Sequence, residues 1–340
     1  MNPLERTVKY QLPARARGRS GNASTHAMIS LSAAGARRSL LASVWKHRAL
    51  LLMFLPGFAF IAIFNYGPIY GIQIAFKKYI ISQGIWGSAW VGLKHFQDFF
   101  TTAITLRVLR NTILISLYKF VVGFPAPIVL ALMINEIGQQ AYKRVCQTIS
   151  YLPHFISWVI IAGMLTKMLS PSTGVVNAVI KLFGGKSIYF LTSPQWFPTI
   201  LVISNIWKEV GWSSVVYLAA LTGVDPQLYE AAIIDGARRV QRVWHISLPS
   251  IMSVVTIILI LSMGGIMNAG FDQIFNMYNP SVYAVSDIID TFVYRVGLTQ
   301  MQYSFATAVG LFKSVVGLIL MLTVNAISSR FGRSEYGLFG

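Results

Sequence analysis

Cysteine is all but missing from these 340 residues: Cys146 stands alone, so neither an intrachain disulfide nor a multi-cysteine metal site can form. A lone thiol of this kind serves as a small apolar residue. Acidic residues are scarce too, 11 Asp and Glu against 28 Lys and Arg, giving a formal net charge of +17. In a soluble chain that excess would point to nucleic acid. Here the basic residues cluster beside long apolar runs, which argues against a nucleic-acid partner. Charge of either sign amounts to 11% of residues, where about 25% is usual in water. With 55% hydrophobic residues and a mean hydropathy of +0.60, water is not the main solvent of this chain.

Reaction motifs are also lacking. His26, His47, His95, His154 and His245 show no H-E-x-x-H spacing, and no G-x-S-x-G elbow occurs. Gly185-Lys186-Ser187 imitates the end of a phosphate-binding loop, but Ile180 stands where that motif needs its earlier glycine. The chain is therefore expected not to be an enzyme and to carry no cofactor or metal. Any nucleotide-driven step belongs to a partner.

What is present is a series of apolar runs near 49–76, 108–135, 146–168, 197–221, 251–274 and 305–329, each long enough to cross about 30 Å of hydrocarbon. The expected fold is all-α, a polytopic membrane protein with six transmembrane helices. The first run lacks the short core and small-residue cleavage site of a signal peptide. Before it, residues 1–48 hold nine Lys and Arg against Glu5 alone and too few large apolar residues for a core, which reads as a disordered tail; Met28 offers an alternative start. Residues 330–340 read as a short C-terminal tail. Segments 1–48, 136–145, 222–250 and 330–340 carry 16 Lys and Arg, more than the alternate segments, so both termini are expected on the cytoplasmic side.

One polar stretch between the runs, Asp225 to Pro249, reads as folded. Asp225 can cap a helix start, Pro226 fits the first helical position, and Gly236 supplies a break. A second short helix follows, with Val240, Val243 and Trp244 on one face and Arg238, Arg239 and Arg242 largely off it. Glu230-Ala231-Ala232, Gly236 and Ile246-x-Leu248-Pro249 resemble the EAA loop of permease subunits of binding-protein-dependent ABC importers. GIWGSAWVGLKHFQDFF, LRNTILISLYK, SYLPHFISWVI and SEYGLFG carry the likeness across about 45–340, nearest to the carbohydrate-uptake branch for complex and pectic oligosaccharides. That resemblance implies a cytoplasmic coupling loop between helices 4 and 5, with Glu230, Ala231, Ala232, Gly236, Leu248 and Pro249 docking onto an ATPase; Arg239, with Arg238 and Arg242, either engages acidic ATPase residues or only enforces topology. It also implies a second permease subunit, two cytoplasmic ATPase subunits that bind ATP and Mg, an extracytoplasmic solute-binding protein and a place in the bacterial cell membrane.

Polar residues inside spans are costly, about 2.5–3.5 kcal/mol for a charge at the centre, and are expected to face a cavity or a partner. Lys119, Lys208, Glu209 and Lys313 are the charged cases. Asn205, Lys208, Glu209 and Trp212 fall at i, i+3, i+4 and i+7, one helical stripe that suits a channel wall. Trp207, Trp212, Tyr217 and Asn205 offer the aromatic faces and hydrogen-bonding groups a sugar needs, and Asn268 extends the path. The expected cargo is a sugar or oligosaccharide, and three lysines against one glutamate would suit an acidic, uronate-type one. The alternatives are a permease for another solute class, a self-neutralising Lys208–Glu209 pair, or a secondary transporter, for which no internal repeat is evident.

Overall fold

The computed structural model describes residues 45–331, with side chains to Ala326. Most of the expected basic tail and the C-terminal segment 332–340 lie outside the described residues. The described residues fall into two compact units that divide between Tyr70 and Gly71.

Among the described residues, three helical stretches are long and apolar enough to cross a bilayer: Arg48–Phe76, Ala103–Asn135 and Tyr303–Ala326. The first begins as an α-helix, Arg48–Ile61, and continues through a π-helical turn and a 3-10 segment to Phe76. Two bent helix pairs meet the same test together.

The expected third span is one of these pairs. Gln140–Phe155 meets Trp158–Met168 at 100°, so 146–168 is not one continuous helix. Its break has a local cause. Pro153 enters a tight 3-10 turn, Leu152–Phe155, and Ser157 then starts a new helix by accepting the Ile160 N–H.

The expected fifth span, 251–274, also differs. Its helix runs only from Met252 to Gly264, bent by 61° from the preceding Arg239–Ser250. Gly264 and Gly265 stand where the helix ends. The chain turns through Gly270, at a left-handed φ of +93°, into a short helix, Phe271–Met277.

Phe197–Thr222 is the central helix, 26 residues and about 39 Å long. Length alone would let it span, but its polar middle keeps it out of the most apolar set. It packs mainly against Pro125–Asn135 and Ala103–Gly123. Two apolar clusters hold its ends. Phe197 and Leu201 join Ile115, Ala269, Ile274 and Ile288; Tyr217, Leu218 and Leu221 join Ile128, Ala131, Ile134 and Ile251. A third cluster, around Phe99, Val108, Ile289 and Val309, seats the last helix.

In the segment 275–304, Asp287 is 4% exposed and accepts two bonds from Arg295, at 2.5 and 3.1 Å. Those bonds hold the Arg295 pKa above its ordinary value. Asp290 turns to Lys313. Buried charges persist when paired, and here the last helix supplies one partner.

Candidate functional site

Between the two apolar ends of the central helix lies its polar stretch, Ser204 to Ser214, and beside it a cavity of about 310 Å³. Lys119 and Ser116 line it from the Ala103–Gly123 helix, Asn205, Glu209 and Ser213 from the central helix, and Asn268 from the break after Gly264. Lys119 and Glu209 are its only charged residues, and its aromatic faces are Phe120, Phe124 and Tyr217.

The expected stripe on the central helix splits in two. Asn205 and Glu209 face the cavity, whereas Lys208 and Trp212 meet the broken third span. Lys208 is 7% exposed, and its ammonium donates to the carbonyls of Pro153 (3.4 Å), Ile156 (2.8 Å) and His154. A turn that breaks a helix leaves carbonyls without intrahelical donors, and the lysine satisfies them. It is therefore neither a cavity wall nor the partner of Glu209. Glu209 pairs with His154 at 2.8 Å, and the His154 ring stacks on Trp212 with centroids 4.7 Å apart. Gly211 allows this contact, since a Cβ there would overlap the Ser150 carbonyl. Trp207 is 43% exposed and outside the cavity, so neither it nor Trp212 offers the expected stacking surface there.

Lys313 also lies off the cavity. Its ammonium donates to both carboxylate oxygens of Asp290 (2.6 and 2.8 Å) and to Asn268 Oδ1 (2.7 Å), tying the last helix to the Ile289–Tyr294 helix and to the loop before Gly270. Sequence reasoning missed Gln273, Ser116 and the opened backbone at Pro153. Gln273 is 1% exposed and bridges Lys119 to Leu201 and Ser204. Pro153 within an apolar run was the available signal for the break. Among the described residues no group of three or more His, Cys, Asp or Glu is placed to hold a metal ion.

The Asp225–Pro249 segment is built as its turn chemistry dictates. Asp225 Oδ1 accepts the Gln227 N–H at 3.0 Å, and the helix runs from Pro226 to Ile234. Its end is closed by Ala237 N–H to Ala232 O (2.8 Å) and Gly236 N–H to Ile233 O (3.0 Å), with Gly236 at φ +77°. That pairing needs a residue at positive φ, which glycine supplies at least cost. The second arm is a helical run from Arg239 to Ser250 with a π-turn at Val243–Ser247. Tyr229 Oη and Ser247 Oγ, 2.9 Å apart, join the two arms. Glu230, Ala231 and Arg239 are exposed, as are Ile233 (55%) and Ile234 (86%). Arg242, expected among the outward basic residues, turns inward to Glu136 at 3.7 Å. Leu248 lines an apolar groove of about 510 Å³ between this arm and Pro125–Asn135, and Pro249 stays exposed.

The family of binding-protein-dependent transport system inner membrane components matches residues 123–333. Two relatives from Bacillus subtilis (strain 168) are each 44% identical. Protein LplB aligns over 306 residues, 90% of this chain and 96% of its own length. The polygalacturonan/rhamnogalacturonan transport system permease protein YteP aligns over 303 residues, 89% of this chain and 94% of its own. A chain in the crystal structure of a bacterial ABC transporter that imports the acidic polysaccharide alginate superposes with a TM-score of 0.80 and 42% identity, covering 87% of this chain and 100% of that one. The same score and identity hold for that transporter in complex with its alginate pentasaccharide-bound periplasmic protein. By sequence over most of its length and by fold, the chain belongs to the family of inner membrane components of binding-protein-dependent transport systems.

Proposed function

We propose that this chain is the transmembrane permease subunit of an ATP-driven ABC importer of oligosaccharides, acting with a second permease, two ATPase subunits and an extracytoplasmic solute-binding protein. The observation that carries the reading is the pairing of a polar cavity in the apolar bundle with an exposed, capped helix whose Ile233 and Ile234 remain uncovered. Relatives named for polygalacturonan and alginate support the cargo class. The chain crosses the bacterial cytoplasmic membrane six times, both ends inside, with the Asp225–Pro249 segment between the fourth and fifth crossings. The broken third and fifth stretches each count as one crossing, and the polar central helix is the fourth.

ATP and Mg are held by the ATPase subunits, which supply the energy of the cycle. This chain contributes the lever. The Pro226–Ile234 helix sits in an ATPase cleft, with Glu230, Ala231, Ala232 and Arg239 at the contact. The Tyr229–Ser247 bond lets both arms of the segment move together. Leu248 and Pro249 pass that motion to the Met252–Gly264 helix, which walls the cavity, and the cavity opens alternately to either side. Sugar hydroxyls meet Asn205, Asn268, Glu209 and the serines, and ring faces meet Phe120, Phe124 and Tyr217.

A two-part experiment tests this. Cysteine placed at Ile234 should react with a membrane-impermeant maleimide only in inside-out vesicles, and Ile234→Arg should lose co-purification of the ATPase while remaining inserted. Labelling from outside would sink the topology. Ion-driven uptake with no ATPase bound would favour a secondary transporter.

A further inference from the structure

Three lysines were expected inside spans, and only one of them faces the cavity. Lys208 is committed to the carbonyls of the third-span break, and Lys313 to Asp290 and Asn268. Lys119 lines the cavity, and no carboxylate is among its hydrogen-bond partners: its ammonium meets Ala269 O at 2.6 Å and Gln273 Oε1. The Gln273 amide is held in this orientation. Its Nε2 donates to Leu201 O (2.7 Å) and Ser204 Oγ (2.8 Å), so the oxygen must face the lysine. Gly270 makes the room, because a Cβ there would stand 2.7 Å from the ammonium nitrogen.

An ammonium has three N–H donors, and two are engaged. One turn earlier on the same helix, Ser116 also lines the cavity, and its buried Oγ has no hydrogen-bond partner among the described residues. A buried hydroxyl without a partner is costly, and rotation about χ1 lets it serve a ligand. Across the cavity the one carboxylate, Glu209, is bonded to His154. The wall therefore offers an uncompensated cation and a spare hydroxyl at i and i+3, facing groups suited to neutral hydroxyls.

Resting on the oligosaccharide-permease reading, we propose that Lys119 and Ser116 form a carboxylate subsite and that the cargo is a uronate-containing oligosaccharide. The cargo carboxylate accepts from Lys119 Nζ and Ser116 Oγ, while its ring hydroxyls bond to Asn205, Asn268 and Glu209. An ion pair in this weakly polar interior is stronger than one in water. Ala269 O and Gln273 Oε1 solvate the ammonium after the cargo leaves without neutralising it, so the site can both bind and release.

The test uses the complete transporter with its ATPases and binding protein in proteoliposomes, and two probes: trigalacturonate and the same trisaccharide with its carboxyls reduced to alcohols. Lys119→Gln should raise the half-saturating concentration about tenfold more for the acidic probe than for the reduced one. Ser116→Ala, which removes an oxygen that has no hydrogen-bond partner among the described residues, should discriminate in the same direction by about threefold. Lys119→Arg should keep the preference. Equal shifts for both probes, or none, would overturn the subsite while leaving the oligosaccharide reading intact. Where the binding protein delivers only the acidic probe, retained uptake by Lys119→Arg with loss in Lys119→Gln supports the subsite, and equal loss in both overturns it. A wild-type complex that hydrolyses ATP yet imports neither probe would refute the sugar reading and the subsite with it.

Discussion

The Asp225–Pro249 segment and the polar middle of the central helix are both hydrophilic stretches set in an apolar chain, but they are polar for different reasons. The segment keeps many of its side chains exposed and satisfies its backbone locally, through Asp225 and Gly236, while the side chains of Tyr229 and Ser247 join its arms. The central helix satisfies its polar groups at long range: Lys208 reaches across 52 to 55 positions of sequence, and Glu209 across 55 to His154. The first is a shape presented outward; the second is an interior held open by partners from other helices. Damage to the segment should therefore uncouple the protein, and damage to the central helix should unmake it.

Substitutions can break or sharpen that contrast. The largest effect is expected from Gly211→Leu, whose side chain runs into the Ser150 backbone, which cannot yield as a side chain tip would. Assembled transporter should disappear from size-exclusion profiles; a monodisperse complex would show the central helix to be looser than described.

Gly236→Pro comes next. It forces φ from +77° toward about −65° and removes the N–H that closes the helix on Ile233. The protein should insert and assemble, while uptake per ATP hydrolysed falls about tenfold or more, a loss of roughly 1.4 kcal/mol in coupling. An unchanged ratio would remove Gly236 from the lever.

Lys313→Met strands Asp290 in a partly buried place, with side chains 16% and 26% exposed. A cost of about 2–3 kcal/mol in detergent stability is expected, below the range for fully buried pairs. Adding Asp290→Asn should recover much of it; a double variant no better than the single would argue that no pair existed.

Tyr229→Phe removes the bond to Ser247 and leaves that buried hydroxyl without its partner, so it should lower stability by about 1 kcal/mol and the coupling ratio by a few-fold. The smallest effect is expected from Trp207→Ala, which lies outside the cavity and should alter half-saturation by about twofold at most.

The Asp225–Pro249 segment was legible because helix caps and glycine stops are local devices, written in adjacent residues. The same devices gave the likeness to importer permeases that the family match and the two 44% relatives bear out. The cavity was legible only in part. Asn205, Glu209, Lys119 and Asn268 do share it, but Lys208, Trp207, Trp212 and Lys313 do not. A stripe at i, i+3, i+4 and i+7 is broad enough to face two neighbours, and helical spacing cannot say which neighbour each residue meets. Hydropathy likewise marks 146–168 and 251–274 as apolar without revealing that Pro153 and Gly264 interrupt them, since a broken helix and a straight one have the same composition.

Composition and local chemistry by themselves determined a membrane-embedded helical chain with one capped polar segment, because transfer free energy and turn preferences add up residue by residue. Tertiary structure alone decided which lysine is free to meet a ligand. Charges in a weakly polar interior are settled by whichever partner lies within about 3 Å, and those partners stand here 52 or more positions away for Lys208, 150 or more for Lys119 and 23 and 45 for Lys313.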